Sequence, residues 1–100
     1  MTITSLGKYA VLVEETKPYT YSASPQDITF TINHNLGSEN LMWHFTQCYL
    51  TGGTVGGIEA TATSPNQLVL KFKNCITGSN GNAVLQMVLY IPHSIQIKVP

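Results

Sequence analysis

Apolar and polar residues alternate through most of this chain with a period of two. The clearest case is residues 27–33. Ile28, Phe30 and Ile32 fall on one side, and Thr29, Thr31 and Asn33 on the other. Successive side chains of an extended strand point to opposite faces, so this spacing predicts a half-buried β-strand. Residues 67–74 repeat the pattern, with Leu68, Leu70 and Phe72 facing in and Val69, Lys71 and Lys73 facing out. Residues 83–91 form the most apolar run, ended by Pro92. Shorter strands are predicted at 3–6, 9–14, 19–23 and 58–63. A last one at 95–99 alternates Ile95, Ile97 and Val99 with Gln96 and Lys98.

Residues 41–50 read as a long strand with two unlike faces. Leu41, Trp43, Phe45, Gln47 and Tyr49 make an aromatic face expected to meet the core. Met42, His44, Thr46, Cys48 and Leu50 make the other. Turn signals separate the strands: Ser24-Pro25-Gln26, the glycine-rich 51–57, Ser64-Pro65-Asn66, and a hairpin loop centred on Asn80-Gly81. No segment carries a helical period. One hundred residues make a single domain spanning residues 1–100. About eight short strands with turns every eight to twelve residues predict an all-β fold. It would be a compact antiparallel β-sandwich of the jelly-roll or Ig-like kind, without substantial helix.

Charge is scarce. The chain has five Lys, no Arg, five acidic residues and no net charge, so 10% of its residues are charged, against a usual share of about 25%. Twelve Thr, seven Ser and seven Asn supply the polar surface instead. A surface so poor in repulsion favours association, and interface cores are themselves depleted in Lys, Glu and Asp. Without a basic stripe the chain is not expected to bind nucleic acid or an anionic membrane. No apolar run approaches the ~20 residues of a spanning helix. The first fifteen residues lack the layout of a signal peptide, so the chain is expected to be made in the cytoplasm.

The residue types that carry chemistry do not converge. His34, His44 and His93 lie on three segments without the local spacing of a zinc site, so no metal is expected. Cys48 and His44 are four residues apart on one strand, which separates their Cα atoms by about 13 Å and rules out a dyad. Cys48 and Cys75 are expected to be free thiols in a reducing compartment. The glycine-rich loop lacks the Lys-Ser/Thr ending of a phosphate loop. No catalytic residue and no cofactor are expected, so the chain does not read as an enzyme. Tyr19, Tyr21 and Trp43 are the candidates for stacking against a sugar ring. Trp43, however, shares the core-like face with Leu41 and Phe45.

The strand at 27–33 runs straight into His34-Asn35-Leu36-Gly37, a turn. Gly37 permits a positive φ, Asn35 suits hydrogen bonding in a turn, Leu36 can fold back onto the sheet, and His34 continues the Ile32 side of the strand. The series Phe30, Ile32, His34, Asn35, Leu36, Gly37, Ser38, followed by a hydrophobic strand, resembles a motif of tail-fibre and related virion proteins of tailed bacteriophages. It covers about 20 of the 100 residues. The chain is far shorter than a whole fibre and lacks shaft repeats. The resemblance implies a small virion component: a fibre head domain, an adaptor, or a capsid-decoration protein.

The expectation is therefore a non-enzymatic structural protein of a bacteriophage particle, assembled in the host cytoplasm and located in the virion. It would self-associate, as a homotrimer, and dock on other virion proteins. The edges expected to carry these contacts are the N-terminal strands around Ile3 and the terminal strand with Ile95, Ile97 and Val99. The alternative is a carbohydrate-binding module that recognises a host glycan.

Overall fold

The computed structural model describes residues 1–92. They form eight strands: β1 (Thr2–Ser5), β2 (Ala10–Tyr19), β3 (Gln26–Asn33), β4 (Met42–Leu50), β5 (Gly53–Thr54), β6 (Gly57–Ser64), β7 (Gln67–Thr77) and β8 (Gly81–Tyr90). All described pairings are antiparallel. One layer has the order β1-β2-β8-β4, and the other has β7 between β3 and β6. The short β5 pairs with both β4 and the end of β7, which joins the layers along one side. The all-β, antiparallel, sandwich-like architecture expected from the alternation is the one observed.

Each layer contributes one face to a shared core. Val11 and Val13 of β2 lie with Leu85, Met87 and Leu89 of β8; across from them are Ile28, Phe30 and Ile32 of β3 and Leu68, Leu70 and Phe72 of β7. The Phe30 and Phe72 rings meet at 4.9 Å between centroids, tilted by 58°, a favoured aromatic geometry. On β7 the buried positions run 68, 70, 72 and then 75, 77. The shift falls at Asn74, which has φ of +52° and lies at the irregularity where Gln26 opposes Cys75 and Ile28 opposes Phe72. An extra residue there bends the strand, carrying β7 from one layer towards the other. Asp27 fixes the bend: its carboxylate accepts from Lys73 Nζ at 2.7 Å and from the Asn74 N–H at 3.0 Å.

Three strand expectations need correction. Residues 9–14 and 19–23 do not make two strands. β2 runs unbroken to Tyr19, and residues 20–23 are irregular. Pro18 is tolerated for a geometric reason. Its partner Asn82 sends its carbonyl and N–H towards Thr51 on the β4 side. Pro18 therefore sits at a non-hydrogen-bonded position with its nitrogen towards the outer edge, beyond the reach of β1, which ends opposite Glu14.

The second correction concerns β4. Trp43 and Phe45 do turn inward, but a bulge lies between Phe45 and Gln47. Beyond it, Cys48 and Leu50 face the core, and Gln47 and Tyr49 face out. The third is that the glycine-rich 51–57 is not wholly a loop, because Gly53 and Thr54 pair on both sides. The expected strand with Ile95, Ile97 and Val99 lies outside the described residues, as does His93.

Candidate functional site

The His34-Asn35-Leu36-Gly37 turn closes one end of the β3/β7 layer. His34 follows Ile32 into the interior and is 3% exposed. Its Nδ1 accepts the Leu36 N–H at 2.9 Å. Asn35 has φ of +56° and Gly37 of +74°. The turn is anchored by Asn66, in the tight connection between β6 and β7. The Asn66 carbonyl accepts from Asn35 N–H at 3.3 Å, and its side-chain oxygen accepts from Gly37 N–H at 2.9 Å. Asn66 could not be singled out from sequence, because its partners lie some thirty positions earlier in the chain. Leu36 packs on the core. Burial pushes the His34 imidazole below its ordinary pKa. All these contacts are internal, so the turn acts as a structural clasp.

The strand edges differ sharply in how they are finished. β1 is only four residues long, and the ammonium group of Met1 beside it pairs with Glu15 at 3.0 Å. Ile3 is half-buried and packs on the core, so this edge offers backbone rather than an apolar side chain. On the outer edge of β3, Lys17 Nζ donates to one carbonyl, that of Thr29, at 2.7 Å. β6 carries the charged, exposed Glu59 and a bulge at Thr63. Short strands, lysines, charges and bulges are the ordinary devices that keep sheet edges from pairing.

β4 is finished differently. It is nine residues long, and Leu41 to Leu50 contain no charged residue and no proline. Among the described residues its outer edge is paired only at Leu50, with Gly53. Asn82 aims its backbone groups at the β4 side, so the alternation of the ladder fixes the rest. Val84 and Val88 bond towards Tyr49 and His44, while Trp43, Phe45 and Cys48 direct their N–H and C=O away from β8. The bulge at Thr46, whose hydroxyl donates to Gln86 Oε1 at 2.6 Å, twists the strand without covering those groups. Met42 and Tyr49, 50% and 47% exposed, flank the edge on its outer face. A shallow depression lined by Leu41, Met42 and Trp43 lies at its start.

The proposed stacking residues do not share a surface. Tyr19 is buried, and its hydroxyl accepts the Gly52 N–H at 2.8 Å, tying the end of β2 to the β4–β5 turn. Its ring is therefore not a platform for a sugar. Trp43 is half-buried against the core, and Tyr21 is exposed.

The two thiols are free. Leu50 opposes Gly53, and Gly53 opposes Thr77. Cys48 and Cys75 each lie two residues before these positions, so they sit at one level on strands two steps apart. Burial pushes both thiols above their ordinary pKa, which disfavours the reactive thiolate. His44 is exposed on β4. Among the described residues, no three His, Cys, Asp or Glu side chains are grouped as a metal site, and no helix is long and apolar enough to cross a membrane.

Comparison of the chain with protein-family models, curated proteins and solved structures finds no match.

Proposed function

We propose that this protein is a non-enzymatic structural subunit of a bacteriophage particle. It would be a tail-fibre, adaptor or capsid-decoration component that self-associates as a homotrimer and docks on other virion proteins. The observation that carries the self-association is the outer edge of β4. A nine-residue strand without charge or proline leaves backbone donors and acceptors of Trp43, Phe45 and Cys48 unpaired among the described residues, where the β1 edge is short, β6 carries Glu59 and β3 meets Lys17. An edge of that kind is a template for another strand, with main-chain hydrogen bonds supplying affinity. The scarcity of charge over the whole chain supports the same reading. The virion setting rests on the resemblance of the His34–Gly37 turn and its flanking strands to phage fibre proteins.

The test is the native mass, measured by light scattering on a sizing column. The reading predicts a mass near three times the 10.9 kDa of one chain. A stable single chain at micromolar concentration, with no binding to capsid or tail proteins, contradicts it.

A further inference from the structure

The connection between β7 and β8 carries a dipeptide that the proposed assembly does not use. Of the seven asparagines, Asn80 alone is followed by glycine. In an open chain such a pair is chemically labile. The glycine nitrogen can reach the asparagine side chain, and no Cβ stands in its way. Asn80 is also exposed to water, which the reaction consumes. The fold nevertheless requires both residues. Asn80 Oδ1 accepts the Tyr21 N–H at 2.7 Å, which ties this connection to a segment 59 residues earlier. At Gly81 an added Cβ would overlap the hydroxyl oxygens of Thr51 and Tyr19. Both hydroxyls are engaged, Tyr19 with the Gly52 N–H and Thr51 with the Asn82 N–H. The same contacts disarm the pair. Asn82 turns its backbone groups towards β4, so the alternation of the ladder turns those of Gly81 towards Tyr19, its partner on β2. The nitrogen that would attack is thus held in the sheet, and the side-chain amide it would attack is held by Tyr21.

We propose that Asn80-Gly81 is a self-modification site that the fold holds shut and that opening of this connection releases. In the step, the Gly81 nitrogen bonds to the side-chain carbonyl carbon of Asn80. The bond from that carbon to the amide nitrogen breaks, and the amide leaves as ammonia, taking the proton that Gly81 gives up. The five-membered imide left behind then adds one water and opens to aspartate or to isoaspartate. Aspartate keeps an oxygen for the Tyr21 N–H. Isoaspartate carries the main chain through the former side chain, which adds one carbon between residues 80 and 81. That carbon displaces Gly81 from Tyr19 and from the two hydroxyls that leave no room beside it. Opening therefore leaves a chemical mark, and one form of the mark prevents the connection from closing again.

The experiment incubates the full wild-type chain at one mildly alkaline pH, in native buffer and in urea. The tryptic peptide that follows Lys73 is then analysed by mass spectrometry with fragmentation. In urea, residue 80 is expected to show the mass gain of an amide turned to an acid, as a mixture of aspartate and isoaspartate. In native buffer the same conversion is expected to be slower by at least about tenfold, because only the opened fraction reacts. After removal of urea, isoaspartate is expected to concentrate in the chains that fail to regain the native far-ultraviolet CD spectrum. Asn80→Asp, which keeps the acceptor for Tyr21, is expected to regain it. Equal rates in the two conditions overturn the gating by the fold. An unconverted residue 80 in urea, or conversion spread evenly over Asn74, Asn80 and Asn82, overturns the site itself.

Discussion

The Nε2 atom of His34 is buried without a hydrogen-bond partner, and Nδ1 is occupied by the Leu36 N–H. A ring that accepts at Nδ1 must be neutral, with its proton on Nε2. Protonating it would break the bond to Leu36 and place a charge where only burial acts on it. The unfolded chain takes up this proton near pH 6.5, while the folded chain resists it. Stability is therefore flat above that pH and falls as the pH drops below it, until the folded ring itself titrates. Urea titrations from pH 8 to pH 5 are expected to show this decline in the wild type, and a shallower one in His34→Asn. An equal slope in both would remove His34 from the account. Asp27 acts in a lower window. Its hydrogen bonds from Lys73 and Asn74 hold its carboxyl below the ordinary value of 3.8, so its contribution is present above that pH and fades below it.

Two glycines separate backbone strain from crowding. At Gly37 an added Cβ meets nothing, so the whole cost of Gly37→Ala comes from the positive φ, about 1 kcal/mol. Gly53 has no such φ, but a Cβ there would overlap the Ile76 carbonyl across the β5–β7 pair. Gly53→Ala is expected to cost about 2–3 kcal/mol in chemical denaturation, more than Gly37→Ala. The reverse order would contradict the packing described at the junction of the layers.

At the scale of the element, the alternation in residues 27–33 and 67–74 was legible because both strands keep one register on their buried face through Phe72. What escaped is wherever the period slips. Strict alternation gives β4 a single inner face from Leu41 to Tyr49, and one inserted residue at Thr46 exchanges the faces for its second half. The insertion is satisfied by Gln86 on another strand, so nothing local announces it. Pro18 lies between the two strands predicted at 9–14 and 19–23, and whether its missing N–H matters depends on where Asn82 points. The clasp at His34–Gly37 was visible as a turn, whereas its anchor Asn66 was not.

The bulge has a direct consequence. Deleting Thr46 keeps Trp43, Phe45, Cys48 and Leu50 on the inner face, because the residue lost is the extra one. The deletion is expected to fold, at a cost of about 1 kcal/mol for the lost hydroxyl hydrogen bonds, measured by denaturant midpoint. Failure to fold would mean that the bulge itself holds the layer in shape.

For the whole molecule, the charged contacts among the described residues lie on strands other than β4. Lys73 pairs with Asp27, Lys17 caps β3, and the Met1 ammonium meets Glu15. Nothing charged lies between Leu41 and Leu50. Association through backbone hydrogen bonds and apolar contact escapes ionic screening. The native mass should therefore hold from about 0.01 M to about 1 M salt, whereas assembly built on ion pairs would dissociate along that range.

The most direct test of the central claim, that a neighbouring strand covers β4, is residue-resolved amide hydrogen exchange on the native protein. The amides of Trp43, Phe45 and Cys48 point away from β8 and have no ladder partner among the described residues. The account predicts that they exchange as slowly as those of His44 and Tyr49, which bond to β8. Fast exchange confined to these three, in a protein at its native mass, would leave the edge bare and contradict the account.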